Sequence, residues 1–133
     1  MIRNYENPEG TLSLVDSSSI TVPVKVFTSS TTGGPIAGGV IGQENAVLTI
    51  SLCNTLAANP ADETSNAVTV NVYVVRSGLS YGSGNLVVSS LVIPAGETVF
   101  FSEERMVLAS GDAIWVGTSS SGALAVTVSS LPV

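Results

Sequence analysis

The sequence predicts an all-β protein, an antiparallel β-sandwich of jelly-roll-like type with about eight to ten short strands. Three observations predict it. Apolar and polar residues alternate with period two along most of the chain, the spacing of a strand with one buried face. Clusters of Gly, Pro, Asn, Ser and Asp interrupt that alternation at short intervals, as turns between strands do. The composition is poor in charge (11%) and rich in hydrophobic residues (44%), and no segment combines helical periodicity with caps.

The elements follow in order. Ile20, Val22, Val24 and Val26 fall on one face of a strand whose other face carries Thr21, Pro23, Lys25 and Phe27. Pro23 has no N–H to give to a ladder, which places this strand at an edge. SSTTGGPIAGG (29–39) has almost no side chains able to build a core and reads as a linker. Residues 1–40 are therefore expected to form an N-terminal arm and linker containing one or two strands, and residues 41–133 a β-sandwich body. In the body, AVLTISLC puts Leu48, Ile50 and Leu52 on one face, and a polar loop runs from Asn54 to Asn66. AVTVNVYVVR alternates Val68, Val70, Val72 and Val74 with Thr69, Asn71 and Tyr73. NLVVSSLVI, ETVFF, RMVL, AIWVG and ALAVTVSS follow, separated by LSYGSG, PAG, ASGD and TSSSG.

Composition excludes several kinds of site. The formal charge is −6, and Arg3, Lys25, Arg76 and Arg105 are scattered, so no basic groove for nucleic acid is expected. There is no histidine, which removes Ser-His-Asp and Cys-His sites and His-ligated zinc. The single cysteine, Cys53, reads as a small buried apolar residue. MIRNYENPEG lacks the apolar core of a signal peptide. No apolar run approaches the roughly 20 residues that span a membrane, so no membrane partner is expected.

The carboxylates do not assemble a reaction centre by spacing. Glu103 and Glu104 are neighbours, and neighbours in an extended chain point to opposite faces. They read as a polar turn between ETVFF and RMVL, beside Arg105. Asp112 follows Ser110-Gly111 and is expected to bond backbone amides of that turn. Asn59, Asp62 and Glu63 match no calcium loop and read as solvated loop residues. The glycine pairs lack the following Lys-Ser/Thr or helix of a phosphate cradle. No catalytic residue, metal ligand or cofactor is therefore expected, and the protein is not expected to be an enzyme. What remains is an excess of apolar residues over one core face, in Val99, Phe100, Phe101, Met106, Leu108, Ile114 and Trp115. The candidate interface residues are Tyr5, Phe27, Tyr73, Phe100, Phe101 and Trp115, and a homo-oligomer, dimer or trimer, is expected.

The body from Ala46 to Val133 resembles small virion structural proteins of tailed bacteriophages, cyanophages among them. The resembling elements are SLCNT (51–55), VTVNVYVV (68–75), LVIPAGETVFF (91–101), ERMVLASGDAIWV (104–116) and a closing valine-rich strand ending near SSLPV. The resemblance implies a β-sandwich component of the virion, made in the host cytoplasm and without enzymatic activity. The expectation from it is a capsid decoration or cement protein bound to the major capsid protein, with the N-terminal arm lying across neighbouring capsid subunits. Alternatives are a tail or neck adaptor or fibre-associated subunit bound to other virion proteins, and a carbohydrate-binding attachment module built on Trp115 or Tyr73.

Overall fold

The computed structural model describes residues 3–5, 14–29, 45–62, 64–102 and 106–132. The described residues form nine strands: β1 (Arg3–Tyr5), β2 (Val24–Thr28), β3 (Asn45–Asn54), β4 (Val68–Val75), β5 (Leu86–Ile93), β6 (Thr98–Phe101), β7 (Met106–Leu108), β8 (Ala113–Thr118) and β9 (Leu124–Pro132). A single 3₁₀ turn, Ser83–Asn85, precedes β5. Among the described residues no helix is long and apolar enough to cross a membrane.

The strands form two antiparallel sheets. The first has the order β1-β9-β3-β6, and β7 also pairs β3. β6 lies along Ile50–Cys53 and β7 along Asn45–Val47 of the same edge of β3, so together they fill one strand position. The second sheet has the order β2-β8-β4-β5. Between β1 and β9 the chain changes sheet at every connection except β4–β5 and β6–β7. Four positions per sheet, wound in this order, make a jelly roll, as the sequence predicts.

One core lies between the sheets. Val47, Ile50, Leu52, Leu108, Leu124, Val126 and Val128 of the first sheet meet Val26, Phe27, Val68, Val70, Val72, Ile93, Ile114 and Val116 of the second. Each fully buried Val, Leu or Ile contributes about 1.5–3 kcal/mol of transfer free energy, and this interlayer is the principal source of stability.

The alternation breaks where bulges interrupt the ladders. A register shift between Val47 and Thr49 turns Val47 into the core beside Ile50 and Leu52, and Leu48, expected there, is only half-buried. A second shift, between Lys25 and Phe27, buries Val26 and Phe27 together. β2 is an edge strand with Pro23 just before it, as the proline implies, but Ile20 and Val22 lie outside it. They belong to a turn closed by the Val22 N–H on the Ser19 carbonyl (3.1 Å).

The division at residue 40 does not divide the core. β1 pairs β9 in the first sheet and β2 pairs β8 in the second. Val15, Val26 and Phe27 sit in the same buried cluster as the body. Of the expected linker, 29–39, only Ser29 is described; it is buried and its N–H donates to the Asp112 carbonyl (2.8 Å). Residues 14–22 form a strap that starts against β9, where the Val15 N–H donates to the Leu124 carbonyl (2.9 Å), and reaches the outer face of the second sheet at Ile20. The Tyr73 hydroxyl donates to the Ile20 carbonyl (2.7 Å), and the Asn71 side-chain amide donates to the same oxygen (3.3 Å). The Ser17 hydroxyl accepts the Thr118 N–H, and the Thr118 hydroxyl donates to the Ser17 carbonyl (2.8 Å).

Two residues set how tightly these layers close. A Cβ at Gly117 would lie 2.8 Å from the Ile20 carbonyl carbon, with the oxygen nearer still. Backbone cannot yield there as a flexible side chain would, so Gly117→Ala is expected to destabilise by about 2 kcal/mol through overpacking, measured by denaturant unfolding. Asn54 is fully buried at the end of β3. Its Nδ2 donates to the Asn66 and Ile93 carbonyls (2.8 and 2.9 Å), and its Oδ1 accepts the Leu56 N–H (3.0 Å). Asn54→Ala leaves three backbone groups without that partner and is expected to cost about 3 kcal/mol by the same measurement.

Candidate interaction surfaces

The candidate interface residues separate into three groups. Phe27 (2% exposed) and Tyr73 (3%) are buried within the chain, which removes both from the surface a partner can reach. Phe27 is turned inward by the bulge in β2, and Tyr73 is covered by the strap. Phe101 is half-buried against the core, and Trp115 is half-buried on the outer face of the second sheet. Phe100 is 65% exposed, the most exposed of the large apolar residues described. Tyr5 pairs through its backbone with Val128, and its side chain lies outside the described residues.

Trp115 belongs to a small aromatic group. Tyr81, in the connection from β4 to β5, packs against Trp115 with ring centroids 5.3 Å apart and meets Tyr73 edge-on at 6.1 Å. The Lys25 ammonium stands 5.5 Å from the Trp115 ring centroid. These contacts cover much of the Trp115 ring, so the group closes this end of the outer face much as residues 14–22 close the other. Sequence reading does not single out Tyr81, because it sits in a turn and its partners are distant in the chain.

The carboxylates hold turns. Asp112 Oδ1 accepts the Ser77 N–H (2.9 Å) and Oδ2 accepts the Ala109 N–H (3.1 Å), as expected from Ser-Gly-Asp, with Gly111 at φ 86°. Asn59 Oδ1 accepts the Ala61 N–H, and Asp62 Oδ1 accepts both the Thr64 N–H and the Thr64 hydroxyl (3.0 and 2.7 Å). Glu63 and Glu103–Arg105 lie outside the described residues. Among the described residues no three His, Cys, Asp or Glu side chains gather into a metal-binding group.

The outer face of the first sheet is different. Of its strands, β3, β6, β7 and β9 contain no charged residue, while β1 carries Arg3. Thr49/Ser129, Ser51/Phe100/Thr127 and Cys53/Thr98/Ala125 stand opposite one another on the face away from the core. Cys53, expected to be buried, is half-buried here, because its neighbours Leu52 and Asn54 take the inward positions. Phe100 and Val107 (60% exposed) line the β6–β7 edge of this face. Beside them, between the open edges of the sheets, is a cleft of about 370 Å³ lined by Ile50, Val72, Val87, Val88, Phe101 and Met106, with Phe100 at its rim. A second, shallower depression of about 580 Å³ lies between the 55–67 and 94–97 loops and includes Pro60, Val92, Pro94 and Glu97.

The Thr64 hydroxyl, then its N–H, hold the Asp62 carboxyl below its ordinary pKa. A depressed folded-state pKa adds stability that is present above the unfolded value and lost as pH falls through the folded one. Thr64→Val is expected to move the Asp62 midpoint back toward the ordinary value in an NMR titration. The stability difference between the two proteins is expected to shrink as the pH drops through that range.

In comparison with known proteins, the chain matches no protein-family model, and no curated protein matches it.

Proposed function

We propose that the protein is a structural component of a tailed-bacteriophage virion, a decoration protein that lays the outer face of its first sheet on the major capsid lattice. The observation that carries this reading is the charge-free composition of β3, β6, β7 and β9 on a protein of net charge −6. A broad sheet face of Ser, Thr, Ala and Cys with apolar residues along one edge can be dehydrated against a partner without stranding a charge. The second sheet offers less of such a face, because the chain around Ile20 and the Tyr81 connection already lie over β4 and β8. Jelly rolls occur in viral capsid domains and also in lectins and cupins, so the topology supports the reading without selecting it. The resemblance of residues 46–133 to small virion proteins points the same way.

Docking by this face replaces docking by an N-terminal arm. Deleting residues 1–30 would remove Val15, Val26 and Phe27 from the core, so such a truncation tests folding before it tests attachment.

The test is to bind purified protein to capsids lacking it, by co-sedimentation and particle imaging. Hundreds of copies per particle are expected; six or twelve copies at the neck or tail would reassign the protein to an adaptor. Thr127→Arg places a charge in the middle of the face and is expected to weaken capsid binding about a hundredfold, with the far-ultraviolet circular dichroism unchanged. Undiminished binding by Thr127→Arg refutes docking by this face.

A further inference from the structure

The edge strand β5 is irregular, and its irregularity is tied to a segment lying on a different surface. Between the pairs Val70/Leu91 and Val72/Val88, β5 uses two residues, Ser89 and Ser90, where β4 uses one, Asn71. This is a bulge, and Ser90 takes φ 54° in it, a left-handed conformation that glycine accepts and serine resists. Such a residue persists only where its surroundings hold it. At Ser90 the holding contact is the hydrogen bond from its N–H to Asn71 Oδ1 (2.7 Å).

That bond is not independent of the strap. A side-chain amide has a donor end and an acceptor end, and flipping it mismatches every partner at once. The Ser90 N–H can only donate and the Ile20 carbonyl can only accept, so they demand the same orientation from opposite ends of Asn71. The Tyr73 hydroxyl reinforces it, accepting from Asn71 Nδ2 (3.2 Å) while donating to the Ile20 carbonyl (2.7 Å). Asn71 is buried, so water does not readily replace a lost partner there. Ile20, Tyr73, Asn71 and Ser90 form an unbroken path from strap to edge.

The two ends of this path give the coupling a use. β5 pairs only β4, which leaves its other side an open edge, and bulges are one device by which open edges resist adding a further strand. The same strand supplies Val87 and Val88 to the apolar cleft beside β6. At the far end, the strap is held by Ser17, whose hydroxyl accepts the Thr118 N–H (3.2 Å) and donates to the Val22 carbonyl (2.9 Å).

We propose that the strap is a conformational switch for the β5 edge. Docked, it fixes the Asn71 amide and with it the bulge at Ser90; lifted, it frees both, so a contact on the strap alters an edge that it does not touch. The switch needs no capsid, so it and the virion reading can fail separately. Amide hydrogen exchange of the full chain, followed by NMR, tests it. Tyr73→Phe removes the hydroxyl between strap and Asn71. Ser17→Ala loosens the strap through a residue whose bonds go to Thr118 and to the strap itself. Each is expected to speed exchange of the Ser90 amide about tenfold or more, with the amides of Ile50 to Leu52 in β3 left near their wild-type rates. Circular dichroism reports whether each variant is folded, and Ser17→Ala decides the matter if Tyr73→Phe is not. A folded variant of either kind with unchanged Ser90 exchange overturns the proposal. So does one in which Ser90 and β3 accelerate alike, which is global destabilisation, and so does a Ser90 amide unprotected in the wild type.

Discussion

The carbonyl oxygen of Ile20 holds the strap onto the second sheet, and the asymmetry of the molecule depends on it. It accepts from the Tyr73 hydroxyl and from Asn71, and it lies where a side chain on residue 117 would otherwise stand. The chain around Ile20 can therefore lie flat on β4 and β8. Asn71 extends the connection by accepting the Ser90 N–H at the bulge of β5. A bulge leaves such donors without a ladder partner, and a buried unpaired amide would cost about 1–3 kcal/mol. One small network thus joins the strap, a central strand and the irregular edge strand.

Closing one outer face leaves the other to meet partners. With the chain around Ile20 at one end and Tyr81 at the other, β4 and β8 are sandwiched between the core and the chain's own connections. That explains how β4 buries Asn71 and Tyr73 as well as its valines. The first sheet receives no such cover among the described residues. Its strands β3, β6, β7 and β9 also lack charge, so their outward residues hold little water tightly. Most of the buried polar groups follow one rule: Asn54, Asn71, Ser17, Ser29 and Thr118 bond to backbone, and the Ser130 hydroxyl is the exception among the described residues. Asn54, Ser17 and Thr118 do so at strand ends, where ladder hydrogen bonding stops, and Asn71 does so at the β5 bulge.

Several local features were legible in the residues. Ser110-Gly111-Asp112 is a turn because Gly111 takes a positive φ and the aspartate bonds amides across it. Phe100 and Phe101 separate onto opposite faces because neighbours in a strand must. Val68, Val70 and Val72 reach the core as their spacing requires. Leu48, Phe27 and Tyr73 were misassigned for two physical reasons. The bulges at Leu48 and at Val26 shift the phase of alternation without a Gly or Pro to mark them. Tyr73 falls on the outward phase of its strand, and only the strap, some fifty residues earlier in the sequence, buries it.

The sequence by itself determined the fold class, the approximate strands, the turns and the scarcity of charge in the sheets. All of these are properties of short windows, where a side chain's direction follows from the backbone period. Only the tertiary structure decided which outer face is covered, that residues 14–28 belong to the body, and that Phe100 stands beside an apolar cleft. Those outcomes depend on contacts between residues far apart in the chain, and period two assigns a residue to a face without saying what will lie against it.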